Sequence, residues 1–180
     1  MEREVGKDIL TVKNLSKTID GNKLLNDISF TLGRNDKVAI LCENELAVTT
    51  LFKLLAEEIE PDEGFIKWGV STSRSYFPLD SSSFFNDCDL SILDWVRQYS
   101  NDTTETYLRG FLGRMLFAGD DVYKPVKVLS GGEKARCLFS RMMLFGSNII
   151  MLDKPTNHLD LESITAVNNG LIDFKGNIIF

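Results

Sequence analysis

The stretch LSGGEKARCLFSRMMLFGSNIIMLDKPTNHLD, residues 129–160, decides the fold. Two glycines, Gly131 and Gly132, open a run whose apolar residues recur with helical spacing. The apolar segment NIIMLD then predicts a short buried strand that ends at Asp153, and a second helix, residues 160–174, leads to the strand start NIIF. Helices and strands that alternate in this order predict a mainly parallel sheet with helices on both faces.

The start of the first helix is suited to an anion. Gly131 and Gly132 leave backbone N–H groups uncovered by side chains, and a helix N-terminus carries partial positive charge. Ser130 either adds a hydroxyl donor to such a site or is simply the helix cap. The residues alone leave both interpretations open. The apolar face of this helix is formed by Ala135, Leu138, Phe139 and Met142.

The composition is that of a folded protein without a membrane span. Hydrophobic residues make up 43% and charged residues 26% of the chain, which is typical of a globular domain. No apolar run reaches the ~20 residues that a bilayer span needs, and residues 1–10 contain no apolar signal core. The net charge of −6 argues against nucleic-acid binding by this segment alone. Three widely spaced cysteines indicate thiols in a reducing compartment, so the predicted location is cytoplasmic.

The rest of the chain predicts three parts after a short leader. Short strand-like runs separated by turns fill residues 9–77 and predict a first section of the core that contains antiparallel strands. Within it, KVAILC predicts a central parallel strand and TTLFKLLAEEI a helix. Residues 78–128 show helical periodicity broken by polar loops and predict an inserted helical subdomain. Residues 129–180 return to the α/β pattern, and residues 1–8 are interpreted as the remnant of a linker.

The ordered motifs resemble those of the ATP-binding cassette ATPases. LSGGE, residues 129–133, resembles their signature motif, and NIIMLDKPTNHLD, residues 148–160, resembles their Walker B strand and D-loop. The form PTNHLD is most similar to the soluble subfamily F. The resemblance covers residues 9–180 and implies a P-loop NTPase-like α/β fold, with ATP and Mg²⁺ as cofactors. A complete cassette would continue through one more strand and helix, so the chain is expected to be truncated at its C-terminus.

The resemblance also implies roles for individual residues. In these cassettes two domains meet head to tail, and the signature of one covers the γ-phosphate held by the other. Asp153 and Thr49 would hold Mg²⁺, although Asp153 could instead cap the following turn. His158 is interpreted as orienting the D-loop rather than as a catalytic base. The implied signature residues are Ser130, Gly131, Gly132 and Glu133, and the implied D-loop residues are His158, Leu159 and Asp160.

Residues 38–55, VAILCENELAVTTLFKLL, occupy the place of the phosphate loop but depart from G-x-x-x-x-G-K-[ST]. Cys42 and Ala47 stand at the two glycines and Val48 at the lysine, whose loss removes a contact worth roughly 1.5–3 kcal/mol. Side chains at the glycine positions are expected to strain a backbone that needs φ > 0. The sequence therefore predicts weak nucleotide binding. The candidate nucleotide contacts are Asn44, Ala47, Val48, Thr49 and Thr50.

Two other positions depart from the family pattern. Lys154 stands at the catalytic glutamate, and an ammonium group with a pKa of ~10.4 cannot take a proton from an attacking water. Paired with Asp153 or with a phosphate, Lys154 would hold a closed state without turnover. Leu79 stands at the Q-loop glutamine and cannot ligate Mg²⁺. Hydrolysis of ATP by the isolated chain is predicted to be feeble or absent, and whether the chain is an enzyme stays open.

Three functions are compatible with these residues. The first is the nucleotide-binding cassette of a subfamily F ATPase, which binds ATP and Mg²⁺ at a cassette interface and acts on the ribosome in translation. The second is a non-catalytic cassette that lends its LSGGE signature to a partner. The third, the ATP-binding subunit of a membrane transporter, is disfavoured by PTNHLD. The predicted partners are a second cassette, in the same polypeptide or in a dimer, and the ribosome.

Overall fold

The chain forms two compact units in a computed structural model that describes residues 9–157 and 159–180. Of the described residues, unit 1 contains 9–76, 148–153 and 175–180, and unit 2 contains 77–147, 154–157 and 159–174. The interpretation of residues 1–8 as a linker remnant and the role given to His158 lie outside the described residues.

Two sheets form the framework of unit 1. An antiparallel three-stranded sheet has the order β2-β1-β4, and a four-stranded sheet has the order β3-β7-β6-β5, in which β7 runs parallel to both of its neighbours. These sheets confirm the predicted α/β fold with an antiparallel β part. The strands are β1 (Leu10–Ile19), β2 (Asn22–Leu32), β3 (Lys37–Val38), β4 (Glu63–Trp68), β5 (Arg74–Phe77), β6 (Ile149–Leu152) and β7 (Asn177–Ile179).

The core of unit 1 lies around α1 (Glu45–Leu55). Leucines and a phenylalanine at helical spacing, among them Leu51, Phe52 and Leu55, are buried in one cluster with Val12 of β1 and Met151 of β6. Close packing of β4 against β1 also requires a glycine. Gly64 has φ of +83°, and a Cβ there would lie 2.3 Å from the Lys13 carbonyl oxygen.

The prediction that KVAILC forms a central strand is wrong. β3 contains two residues and lies at the edge of its sheet, because β7, the last strand of the chain, pairs between β3 and β6. Pairing continues only as far as Ile40, whose N–H donates to the carbonyl of Phe180 at 2.7 Å. Leu41 is 93% exposed. The loop before α1 therefore leaves from a sheet edge.

Unit 2 is helical. Ring stacking fixes its interior, with Phe77 and Phe139 centroids 4.6 Å apart and Phe85 and Trp95 centroids 5.1 Å apart. Among the described residues, every helix falls short of the length and apolarity that a membrane span requires. The helices are α2 (Ile92–Arg97), α3 (Glu105–Arg114), α4 (Gly131–Phe145) and α5 (Leu161–Ile172), with 3-10 turns at Ser82–Phe84, Gly119–Tyr123 and Val126–Val128.

Candidate functional site

Ser130 and Glu133 cap the start of α4 reciprocally. Ser130 Oγ accepts from the backbone N–H of Glu133 at 3.3 Å, and Glu133 Oε2 accepts from the backbone N–H of Ser130 at 2.9 Å. Ser130 is thus a helix cap in this structure, which was one of the two interpretations of its hydroxyl. Gly131 and Gly132 occupy the first turn, where N–H groups have no acceptor within a helix. The four predicted signature residues therefore share one turn, in which Gly131 is exposed.

A local charge network supports this turn. Lys124 Nζ lies 3.4 Å from Glu133 Oε1 and 2.8 Å from Asp121 Oδ1. The backbone N–H of Ser130 is the main reason that the pKa of Glu133 lies below its usual value, and the charge of Lys124 contributes. Lys124 and Asp121 were not predicted as site residues. No local sequence pattern predicts this charge network, because it forms only when the fold places Lys124 beside the start of α4.

Lys154 lines the same cavity in unit 2 as Gly131. Its backbone has φ of +51°, in the left-handed region that residues other than glycine seldom adopt, and its carbonyl accepts from the N–H of Asn157 at 3.1 Å. The cavity has a volume of about 300 Å³, and Leu79 also lines it. Leu79 and Lys154, two of the three positions at which the sequence predicts a substituted catalytic residue, thus line one cavity beside the predicted signature residue Gly131.

The described residues of the predicted D-loop, Leu159 and Asp160, directly precede α5 in the chain. The N–H of Leu159 donates to the carbonyl of Thr156 at 3.2 Å. Asp160 is the N-cap of α5, and its Oδ1 accepts from the N–H of Ser163 at 2.7 Å. Hydrogen bonds from the Ser163 hydroxyl and N–H hold the pKa of Asp160 below its usual value. Asp160 therefore has a structural role as a cap in addition to its predicted place in the D-loop.

In unit 1, the loop at the predicted place of the phosphate loop caps the helix that follows it. Asn44 Oδ1 accepts from the N–H groups of Leu46 at 3.0 Å and Ala47 at 3.3 Å, so α1 begins directly after Asn44. The hydroxyl of Thr50 donates to the carbonyl of Leu46 at 2.7 Å, and Thr49 lies half-buried in the next turn. The amides that a phosphate loop would offer to an anion are used by a side chain.

The expected strain at the glycine positions is not found. Residues 39–48, all of which the structure describes, have no φ in the left-handed region. The backbone conformation at Cys42 and Ala47 is one that residues with side chains readily adopt. It lacks the left-handed turns with which a phosphate loop surrounds a phosphate.

The surroundings of this loop do not fit a triphosphate. A cavity of about 350 Å³ lies beside it in unit 1, and nearly all of its lining is apolar. Val48, at the lysine position, is one of the lining residues. An apolar wall cannot replace the water that hydrates a phosphate, and the carboxylates of the exposed Glu43 and Glu45 would repel it. The other lining residues in or next to the loop are Val38, Ile40, Leu41, Cys42, Ala47 and Leu51.

Asp153 is fully buried at the end of β6 in unit 1. Burial, followed by the negative charges of Asp153 and Glu58, raises the pKa of Tyr76 above its usual range. The Tyr76 hydroxyl therefore stays protonated at neutral pH. Sequence reasoning missed Tyr76, although its place in the strand SRSYF made it a candidate for burial.

Comparison with known proteins identifies the family. Residues 25–157 match the ABC transporter family. The chain is 60% identical over 180 residues to the ABC transporter ATP-binding protein YkpA of Bacillus subtilis, covering 99% of this chain and 33% of YkpA. It is 34% identical to the energy-dependent translational throttle protein EttA of Mycobacterium tuberculosis, covering 96% of this chain and 31% of EttA.

A plant relative and a solved structure agree with this match. The chain is 32% identical to ABC transporter F family member 2 of Arabidopsis thaliana, covering 97% of this chain and 26% of the relative. The solved ATP-binding subunit of an ABC transporter is 20% identical to the chain and has a TM-score of 0.78, covering 95% of this chain and 78% of the subunit. This likeness supports the fold. The chain thus spans about a third or less of the length of these curated relatives. It belongs to the ABC transporter family of ATP-binding cassettes, with relatives in subfamily F.

Proposed function

We propose that this chain is a cassette that lends its signature turn to a nucleotide held by a second cassette, and that its own phosphate loop does not turn over ATP. The proposal rests on a difference between the N-terminal turns of α4 and α1. At α4, Gly131 and Gly132 open the helix with amides that have no acceptor within it. At α1, the amides of Leu46 and Ala47 are bound by Asn44.

The substituted catalytic positions support the same conclusion. Lys154 stands where the family has the glutamate that takes a proton from water, and Leu79 has no polar group with which to orient water or metal. ATP and Mg²⁺ would then be held mainly by the partner cassette. The assignment of Asp153 and Thr49 as Mg²⁺ ligands stays a prediction.

Phosphate release tests the proposal. The purified chain is mixed with an ABC cassette that retains a complete G-x-x-x-x-G-K-[ST] loop, and release is compared for the chain, the partner and the mixture. We expect no turnover by the chain alone and faster turnover by the mixture than by the partner alone. Ser130→Arg, which fills the signature turn, should abolish this gain, whereas Ser71→Arg, on an exposed turn of unit 1, should preserve it.

Two results would refute this function. One is Mg²⁺-dependent ATP hydrolysis by the chain alone that Thr49→Ala abolishes, because this places turnover at its own loop. The other is a mixture whose rate gain is the same with Ser130→Arg as with Ser71→Arg.

We also propose that the cassette acts on the ribosome in translation, in the cytoplasm. The relative EttA, whose name is energy-dependent translational throttle protein, supports this proposal. Cosedimentation of the chain with Bacillus subtilis ribosomes, with ATP and with ADP, provides the test. We expect the ribosome-bound fraction to depend on the nucleotide when a complete partner cassette is present. A chain that stays at the top of the gradient in every condition contradicts a ribosomal role.

A further inference from the structure

Two of the three cysteines, Cys88 and Cys137, belong to unit 2. Cys137 lies in α4 and is fully buried, whereas Cys88 is half-buried in the loop after the 3-10 turn Ser82–Phe84. Cys42, in unit 1, is exposed. Neither thiol of unit 2 is among the predicted nucleotide-binding or signature residues, so any chemistry that the two thiols share is separate from that site.

Aromatic contacts place the 3-10 turn and the loop after it along one side of α4. The Phe84 ring centroid lies 4.9 Å from the guanidinium carbon of Arg141, and the Phe85 ring centroid lies 6.0 Å from Lys134 Nζ. Lys134, Cys137 and Arg141 stand at positions i, i+3 and i+7, so they lie along one side of the helix. Cys137 is therefore on the side of α4 along which this loop runs.

A second set of contacts holds the far end of the loop near the start of α4. The carbonyl of Leu90 accepts from the N–H of Val126 at 2.9 Å. In the same segment as Val126, Lys124 Nζ lies 3.4 Å from Glu133 Oε1 in the first turn of α4. Cys88 thus lies in the part of the loop that passes α4 between the two sets of contacts.

Electrostatics indicate that the two sulfur atoms are close to each other. Burial, followed by the charge of Cys88, raises the pKa of Cys137 well above its usual value. Cys137 therefore stays protonated at neutral pH in the folded chain. The half-buried Cys88 is the thiol that a reagent in solution reaches first, and Cys137 is the neighbour that can react with it afterwards.

We propose that Cys88 and Cys137 form a redox pair that closes to a disulfide when a low-molecular-weight disulfide oxidises the chain. The Cys88 thiolate attacks the oxidant, whose S–S bond breaks and releases one thiol, and a mixed disulfide forms. The Cys137 thiol then loses its proton and its sulfur attacks Cys88 Sγ, which releases the second thiol. Two electrons pass from the protein thiols to the oxidant. The new bond joins the loop to α4, and its formation needs neither a nucleotide nor a partner cassette.

Equilibration of the full chain with glutathione buffers tests the pair. The chain carries Cys42→Ser, so that the exposed thiol of unit 1 does not react. Intact mass after alkylation and mapping of the linked peptides measure the disulfide. With reduced glutathione held constant, we expect half-oxidation at a concentration of oxidised glutathione that is about tenfold or more lower in buffer than in urea. The reason is that a disulfide that stabilises the fold forms more readily in the folded chain by the same factor.

Two variants in the Cys42→Ser background serve as controls. Cys137→Ala should carry one glutathione on Cys88, because no second thiol is present to displace it. Cys88→Ser retains only the buried thiol and should stay free of glutathione in buffer. Circular dichroism of each variant reports whether it is folded. If Cys137→Ala does not fold, Cys88→Ser, at a half-buried position, still shows whether the buried thiol reacts without its neighbour.

Three results would overturn the proposal. The first is a folded chain with Cys42→Ser that gains glutathione on Cys88 and no internal disulfide, because Cys137 then does not reach the mixed disulfide. The second is a disulfide that forms as readily in urea as in buffer, because proximity in the fold then contributes nothing. The third is a chain that stays fully reduced in buffer at every concentration of oxidised glutathione that oxidises it in urea.

Discussion

Asn44 caps the start of α1, the helix after the predicted phosphate loop. A phosphate loop needs its helix amides free for phosphate oxygens, but Asn44 Oδ1 accepts from two of them, at 3.0 and 3.3 Å. An uncharged cap satisfies these donors whether or not a nucleotide is present. The Asn44 cap therefore stabilises the start of α1 without a ligand. Its contribution should be measurable as part of the free energy of unfolding.

Asn44→Ala should lower the free energy of unfolding by about 0.5–2 kcal/mol, the usual effect of losing an N-cap. Asn44→Asp keeps an oxygen acceptor at the same place and should retain most of the stability. Urea denaturation of the three proteins measures the difference. If Asn44→Asp loses as much stability as Asn44→Ala, the side-chain cap is not what stabilises α1.

Glu133 should make the stability of the signature turn depend on pH. Its pKa is lower in the folded chain than its usual value, chiefly because of the Ser130 N–H, so its contribution is complete above the unfolded pKa. That contribution is lost as the pH falls through the folded pKa. The stability advantage of the native chain over Glu133→Gln should therefore shrink on acidification from neutral pH to below ~4. Urea unfolding across this range measures it, and an advantage that does not change with pH contradicts the assignment.

At the scale of elements, α3 and α4 are joined at the end of α3. Arg136 of α4 donates from Nη1 to the carbonyls of Met115 at 2.9 Å and Leu116 at 3.0 Å, and its guanidinium lies 4.7 Å from the centroid of the Phe117 ring. Carbonyls at a helix C-terminus lack partners within the helix, so a neighbouring helix here supplies the donor. Arg136 thereby links the end of α3 to α4.

Arg136→Met should lower the free energy of unfolding by about 1.5–3 kcal/mol, because it removes charged hydrogen bonds from partly buried carbonyls. Arg114→Met, which removes an arginine that lies over the Phe111 ring, is the matched control and should change stability by no more than about 0.5 kcal/mol. Thermal and urea unfolding measure both variants. Equal losses in the two variants would show that the carbonyl contacts are not responsible.

At the scale of the whole molecule, the sequence could predict those helices, strands and caps that depend on a local residue pattern. The span of α4 follows from Ser130, Glu133 and Gly146, which has φ of +69° at the helix end. The edge position of β3 could not be predicted, because it depends on β7, which lies about 140 residues later in the chain. The Asn44 cap carried a local signal, an asparagine just before an apolar helix. The cavity lined by Lys134 and Lys154 carried none, since three distant segments form it.

The position of β7 leads to a prediction about the two units. β7 lies between β3 and β6, and it buries Ile178 and Ile179. Two fully buried isoleucines contribute roughly 3–6 kcal/mol, a large part of the 5–15 kcal/mol that stabilises a typical domain. Deletion of residues 175–180 should therefore unfold unit 1.

The two tryptophans can report on the units separately, because Trp68 belongs to unit 1 and Trp95 to unit 2. In the deleted chain, a variant that retains only Trp68 should show the fluorescence of an unfolded protein in buffer. A variant that retains only Trp95, which is 4% exposed between aromatic rings, should keep a buried emission spectrum. Deletion of Phe180 alone removes its hydrogen bonds to Val38 and Ile40 but keeps the paired residues Ile178 and Ile179, and is the milder control. Native Trp68 emission in the chain that lacks residues 175–180 would mean that β7 does not hold unit 1 together.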